Sequence, residues 1–520
     1  MAVNDLEKKK EKEKEWFKVK RYPHISLPLR ISDRYKWIEN YVTNSDCISK
    51  HSFSPFIHKT SKVRKFRKQY CKKDGKLIRG EQNRHRKASI KTRELYYANH
   101  LDSLIFSYYS KLLSDEYEEQ LKKNNLTDVV NAYRSIPVDH TIVDGPNKCN
   151  IDFANDVFNY IRSYEQDEFL VLAFDIKSFF DNINHKKLRE AWGELINPEN
   201  SQLPKDHFNV YKNITRFSYV DIVDIFEEFK NRIYTQKRGK SGKMLPVKQK
   251  SISQIKFMRN QNAIAFCKKK EFLKVKNKLL KNSKKVHKNG ELVYRDFGIP
   301  QGSPISSILA NIYLLKFDKI VNDYIKNIGI YRRYSDDMIV VCPIDHKDKV
   351  IELMMEKIKD FDLEIQESKN QIFHFKREEG NLICGQAFEE EINYDKNFIY
   401  LGFEFDGSHT LIRSASLSGY YRKMKRSVKR AKKHSAKRHN KNKGEIFKRR
   451  LLKKYTYKGA TRRRKWIKDP ITDHFVKSEF YDWGNFLSYA YKASRCMDNN
   501  KIEGQLKNHW KKINELLKDE

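Results

Sequence analysis

YRRYSDDMIVVC, residues 331–342, is the stretch on which the fold is decided. Two apolar runs flank Ser335, Asp336 and Asp337, which predicts a β-hairpin with adjacent carboxylates near its tip. On its own such a pair is usually a solvated turn. Among buried strand formers it is costly, because like charges repel and burial removes screening water. Two further stretches turn that cost into a clue. FLVLAF, residues 169–174, is a short run of strand formers ending at Asp175, as a buried strand delivering a carboxylate would. GIPQGSPISSILANIYL, residues 298–314, lies between the two and reads as a Pro- and Gly-punctuated loop entering an apolar helix.

A divalent cation removes the cost of gathered carboxylates. Two Mg²⁺ ions held from two strands would activate a primer 3′-hydroxyl and stabilise a leaving pyrophosphate. Mg²⁺ suits one or two carboxylates together with phosphate oxygens. The composition agrees. Lys and Arg number 106 against 67 Asp and Glu, a formal charge of +39 in 520 residues. Such an excess repels itself unless a polyanion is present, and nucleic acid rewards many separated cations through counterion release. A membrane surface would call for an amphipathic anchor or a lipidation signal, and neither is found. No apolar run reaches spanning length, and residues 1–20 lack the apolar stretch of a secretory signal. The seven Cys form no CxxC pair, so neither a zinc site nor a disulfide framework is expected. A reducing cytoplasm is the expected location.

Outward from the carboxylates, residues 1–20 read as a charged tail or frayed helix. Residues 91–113 read as an extended segment followed by an amphipathic helix with Leu101, Leu104, Ile105, Tyr108 and Leu112 on one face. Residues 190–297 are basic and poorly periodic, and are expected to be an insertion with mobile loops. A helix is expected over 347–361 and a strand over 397–405. Arg422 to Lys465 holds a single acid, Glu445, in a field of Lys, Arg and His, with Tyr421, Tyr455, Tyr457 and Trp466 interleaved or flanking. That combination suits phosphates and stacked bases. The spacing of Ile502, Leu506, Trp510, Ile513 and Leu517 predicts a closing helix.

With these residues in hand the chain resembles a reverse transcriptase. FDIKSFFDNINH (174–185) resembles palm motif A, GIPQGSPISSILANIYL motif B, and RYSDD (333–337) the YxDD box of motif C. LEIQESKNQIFHF (363–375) resembles motif D and IYLGFEFDG (399–407) the primer grip. The resemblance implies an α/β (α+β) right-hand polymerase fold. Residues 1–165 would form an N-terminal extension and fingers. Residues 166–415 would form an RRM-like palm, with the insertion at about 190–297, and residues 416–520 a mainly helical basic thumb that binds RNA. It implies that Asp175, Asp336 and Asp337, with the Ile176 carbonyl, hold two Mg²⁺ ions, Mn²⁺ being an acceptable substitute. Phe180 would exclude a ribose 2′-hydroxyl, making dNTPs the substrates. Lys91 and Arg93 would grip the triphosphate, Gln301, Gly302 and Ser303 would line the nucleotide site, and Lys369 would act on the departing pyrophosphate.

The motif A ending FFDNINH, the fingers segment 91–112 and the AYR at Ala132–Arg134 are similar to bacterial defence-associated reverse transcriptases, with type 9 ahead of type 2. This implies antiviral (anti-phage) defence in the bacterial cytoplasm, a cognate noncoding RNA, a DNA product and a possible homo-oligomer. The RNA contacts expected are Arg422, Lys425, Arg426, Lys429, Arg430, Lys432, Lys433, Arg449, Arg450, Arg462, Arg463 and Arg464. Two alternatives stay open: template-independent or protein-primed DNA synthesis by the same site, and a non-catalytic RNA-binding module.

Overall fold

The computed structural model describes residues 16–518 apart from 69, 72, 79–85, 143–144, 238, 240–243, 283–284, 289–290, 438–442, 462–463, 469–474, 482–483 and 499. The tail expected over residues 1–20 therefore lies mostly outside the described residues. Toward the N-terminus, β1 (Phe56–Lys68) and β2 (Arg86–Tyr97) form a long antiparallel hairpin leading directly into α1 (His100–Lys123). At the centre stands an antiparallel six-stranded sheet. Its strands in chain order are β3 (Glu168–Asp175), β4 (Ile330–Tyr334), β5 (Asp337–Pro343), β6 (Gln371–Glu378), β7 (Asn381–Ala387) and β8 (Ile392–Asn393), arranged β4-β5-β3-β6-β7-β8.

The central strands are apolar throughout because both faces of the sheet are covered, so they lack the alternation of a half-exposed strand. Leu170, Leu172 and Phe174 point into one core with Met338, Val340 and Cys342. That core also holds α1 and two further helices, α3 (Ser306–Tyr313) and α4 (Lys347–Lys357). Phe169 and Val171 point the other way with Ile339 and Val341, against α2 (Asn150–Ser163) and the C-terminal helices. Those are α5 (Ser414–Ala436), α6 (Lys448–Tyr455), α7 (Phe486–Cys496) and α8 (His509–Lys518).

The expected order of strand then helix over 91–113 is present in β2 and α1. The buried face of α1 falls on Leu104, Ile105, Tyr109 and Leu113, with Leu101, Tyr108 and Leu112 half-buried beside it.

Several expectations need correction. Residues 190–297 are not chiefly mobile loops. Their described part includes the helices Lys205–Thr215, Ile222–Phe229 and Lys269–Leu279 and a small sheet of Ile233–Thr235, Lys248–Lys250 and Ala263–Ala265. Phe226, Phe229, Phe266 and Phe272 build a core for it. The apolar anchors are few and the intervening lysines many, which flattened the period. Residues 397–405 form a tight hairpin and not one strand, because Leu401 and Gly402 take positive φ of 45° and 95°. The C-terminal region, expected to be mainly helical, also carries a strand pair, Arg464–Lys468 with Phe475–Tyr481. The closing helix is broken into Lys501–Gly504 and His509–Lys518, although Ile502, Leu506 and Ile513 are buried as their spacing predicts. Among the described residues all seven Cys are free, and no helix is long and apolar enough to cross a membrane.

Candidate active site

Strand register brings the carboxylates together. Asp337, the first residue of β5, pairs directly with Asp175, the last residue of β3. Directly opposed residues in an antiparallel ladder have Cα atoms about 4.5–5.5 Å apart. Asp336 sits in the two-residue turn before β5, and its carbonyl accepts the Ile176 N–H at 3.1 Å. On the other side of β3, the segment before β6 clamps the same strand end. Gln366 N–H donates to the Asp175 carbonyl at 2.8 Å, and Lys177 N–H to the Glu364 carbonyl at 2.9 Å. Lys369, at the close of that segment, donates from Nζ to Asp175 Oδ1 at 2.5 Å. The three aspartates and Lys369 thus share one end of the sheet.

The electrostatics record the crowding. Burial raises the Asp337 carboxyl to about 6, and the charges of Asp336 and Asp175 push the same way. Lys369 and Lys91 oppose the rise, so the hairpin strand β2 brings its cation within electrostatic reach of the carboxylates. The Asp337 side chain keeps contact with solvent, which screens part of this repulsion. Arg93 is exposed two residues from Lys91, on the same face of β2. Among the described residues no three His, Cys, Asp or Glu side chains already surround one metal position. Asp175 is drawn instead to the Lys369 ammonium. The donor chemistry still fits a hard divalent ion, since it consists of carboxylate oxygens whose mutual repulsion is only partly offset.

The Gly- and Pro-punctuated loop closes one side. Ile299 N–H donates to the Phe180 carbonyl at 2.9 Å, and Tyr96 N–H of β2 donates to the Gln301 carbonyl at 2.9 Å. Gly302 has φ of +113°, and a Cβ there would lie 2.8 Å from the Tyr96 carbonyl oxygen. Only glycine meets both conditions without strain. Ser303 is buried, and its hydroxyl has no hydrogen-bond partner among the described residues. Phe180 is half-buried and packs against Phe179, with ring centroids 5.6 Å apart. The structure therefore joins Gln301 and Gly302 to Tyr96 at the end of β2, and Phe180 to the same loop through Ile299.

Sequence reasoning missed what holds the hairpin tip. Arg333 is fully buried and forks onto fully buried Asp318, at 2.7 and 2.6 Å. It also donates to Asn311 Oδ1 at 3.2 Å and to the Ser335 carbonyl at 3.3 Å. Burial pushes the Asp318 carboxyl upward, and the guanidinium opposes that push. Ser335 has φ of +64°, uncommon for a residue with a Cβ. Its hydroxyl lies 3.1 Å from the Tyr133 hydroxyl. The signal in the sequence was period two. Tyr331 and Arg333 alternate inward on β4, so an arginine on that face needed a buried acid.

The expected RNA contacts are carried by the C-terminal elements. On α5, Tyr420, Met424 and Val428 face the core, while Arg422, Lys425, Arg426, Lys429, Arg430 and Lys433 are exposed and Lys432 is half-buried. Arg449, Arg450 and Arg464 are exposed, and Arg462 and Arg463 lie outside the described residues.

Residues 254–405 match the family described as Reverse transcriptase (RNA-dependent DNA polymerase). No curated protein matches. Among solved structures, an apo telomerase from Candida tropicalis truncated from its C-terminal domain is similar at 11% identity and a TM-score of 0.36, over 66% of this chain and 55% of that one. Telomerase from Candida albicans in complex with a TWJ fragment of telomeric RNA is similar at 13% identity and a TM-score of 0.33, over 79% and 57%. The chain spans little more than half the length of these telomerases, and likeness at this level carries no inference about activity or partners. The matched segment holds Asp336, Asp337 and Lys369 but not Asp175, which reaches them through the sheet. Within this mixed helix-and-strand chain, the match to the reverse transcriptase family is thus confined to residues 254–405, the part that carries the Asp336–Asp337 turn and Lys369.

Proposed function

We propose that the protein extends DNA along an RNA template, with Asp175, Asp336 and Asp337 as the metal-binding carboxylates. The pairing of Asp337 with Asp175 across β5 and β3 carries this reading, because it gathers acids distant in sequence at one sheet end beside Lys369. The three carboxylates, with the Ile176 carbonyl, would hold two Mg²⁺ ions. Bound metal would polarise phosphate oxygens and ease loss of the attacking hydroxyl's proton. Lys91 and Arg93 bind the triphosphate of the incoming dNTP. Phe180 sets the preference for deoxyribose. Lys369 releases Asp175 and neutralises the departing pyrophosphate. Gln301, Gly302 and Ser303 line the nucleotide side, where the missing Cβ of Gly302 lets backbone approach closely.

The RNA is a cognate noncoding transcript held by the exposed cations of α5 and α6. The motif likeness to bacterial defence enzymes supports a role in antiviral defence in the cytoplasm. The test incubates purified full-length protein with an RNA template, a DNA primer, Mg²⁺ and dNTPs. Template-dependent extension that Asp336→Asn with Asp337→Asn abolishes is expected. Extension that ignores removal of the RNA, or a product that protease treatment shifts, would replace the templated reading with terminal or protein-primed synthesis. Phage plating on cells carrying the same double variant tests the defence role, and protection should be lost.

A further inference from the structure

A cavity of about 1060 Å³ opens between α5, α6 and the start of α7, among the helices that follow the palm sheet. It exceeds the roughly 300–1,000 Å³ of a typical small-ligand pocket, so it has room for a nucleotide and adjoining phosphates. Its floor is aromatic. The Tyr420 ring stacks on Phe486 with centroids 4.6 Å apart and planes 21° apart, and the Tyr420 hydroxyl donates to the Tyr455 carbonyl at 2.5 Å. The Asn485 side chain donates to the Thr456 carbonyl at 2.7 Å, tying the start of α7 to the end of α6. The walls are therefore fixed by packing and hydrogen bonds.

The rim is cationic. Lys423, Arg449, Arg450, Lys453 and Lys454 line the cavity, and among the described residues none that lines it is acidic. Phe447 stands at the rim and is 59% exposed, so one part of its ring surface is open to a ligand. A second observation points the same way. The first turn of α6 holds Lys448, Arg449 and Arg450 and no acid, and Phe447 at the N-cap contributes no side-chain cap. Helix N-termini carry partial positive charge and favour anions, so three cations there are unfavourable by themselves. An anion bound at that turn reverses the sign.

An aromatic surface beside convergent cations suits a flat π-system bearing phosphate. The geometry points to a nucleotide-binding pocket separate from the sheet-end carboxylates. It takes one unpaired base against Phe447, with the flanking phosphates on Arg449, Arg450 and Lys453. Stacking holds any base by its π-face, while duplex bases are sealed in their own stack, so the pocket selects single-stranded RNA over duplex. The proposal shares with the polymerase reading only that the chain binds RNA.

The test uses full-length protein carrying Asp336→Asn and Asp337→Asn, so that failure of the polymerase reading leaves its outcome unaffected. A short single-stranded RNA bearing 4-thiouridine is bound, irradiated and digested, and the cross-linked peptide is identified by mass spectrometry. The expected cross-link lies on the peptide containing Phe447. Phe447→Ala, at an exposed position where folding is not at stake, should weaken single-stranded RNA about tenfold and blunt duplex RNA hardly at all. Arg449→Ala with Arg450→Ala should weaken it too, and salt should then matter less. Excess AMP before irradiation separates the sources. Loss of the cross-link means that the pocket also takes free nucleotide, and persistence means that it takes the base only within a chain. Cross-links confined to other peptides, together with unchanged single-strand affinity in Phe447→Ala, overturn the proposal.

Discussion

At the sheet end, the acids are fixed by backbone. Asp175 and Asp337 are ladder partners, the Asp336 carbonyl accepts from the Ile176 N–H just past β3, and a clamp from residues 364–369 holds the other side. On α5, the cations project from one side of a helix whose Tyr420, Met424 and Val428 face the core. The first region stores electrostatic cost in a set geometry, which a bound metal would relieve. The second spreads like charge over long flexible side chains, which a polyanion would relieve. A chemical step needs the former, because small misplacements of reacting groups are expensive. Retention of a long polymer needs only the latter.

The largest expected effect breaks one region and spares the other. Asp336→Asn with Asp337→Asn should lower dNTP incorporation roughly a thousandfold or more, the loss of several kcal/mol of metal-mediated stabilisation. RNA affinity measured by filter binding should stay unchanged. Next comes the hairpin's support. Arg333→Met strands Asp318 as a buried unpaired charge and should cost about 3–5 kcal/mol in urea unfolding, much of which Arg333→Met with Asp318→Leu should restore. A merely exposed ion pair would give under about 1 kcal/mol.

The cationic helix is sharpened by salt. Replacing Arg422, Lys425, Arg426 and Lys429 with Gln should flatten the plot of log affinity against log salt by about 0.7 for each phosphate no longer neutralised. Incorporation on saturating primer–template should hold. A slope that does not move would remove α5 from the RNA surface. The smallest effect concerns pH. The Asp337 carboxyl is pushed up to about 6 in the folded chain, so its charged form costs stability that builds as the pH rises from the usual carboxylate range to about 6 and is fully present above it. In EDTA at pH 8, Asp337→Asn should raise the melting temperature by about 1–3 °C, and the gain should shrink as the pH falls from about 6 and be gone near about 4.

The sheet-end carboxylates were legible because each sits at the end of an unbroken apolar run, and a run buried on both faces can only be an inner strand. Gly302 was legible as part of a Pro- and Gly-punctuated loop, but its partner Tyr96 was not. That contact joins segments about two hundred residues apart and leaves no local pattern. The insertion was illegible for a different reason. Helix Lys269–Leu279 buries only Phe272 and Leu279, so its period is drowned by lysines whose stems cover apolar surface while their heads stay wet. Arg333 was hidden by its chemistry, since an arginine beside an acidic turn reads as a surface cation until burial is known.

Strand β3 serves as a party wall. Its neighbours Val171 and Leu172 belong to different rooms, one shared with the C-terminal helices and the other with the helices behind the N-terminal hairpin. A methylene trimmed from either is felt on its own side first, yet both defects move the same backbone and with it the carboxylate at the wall's end.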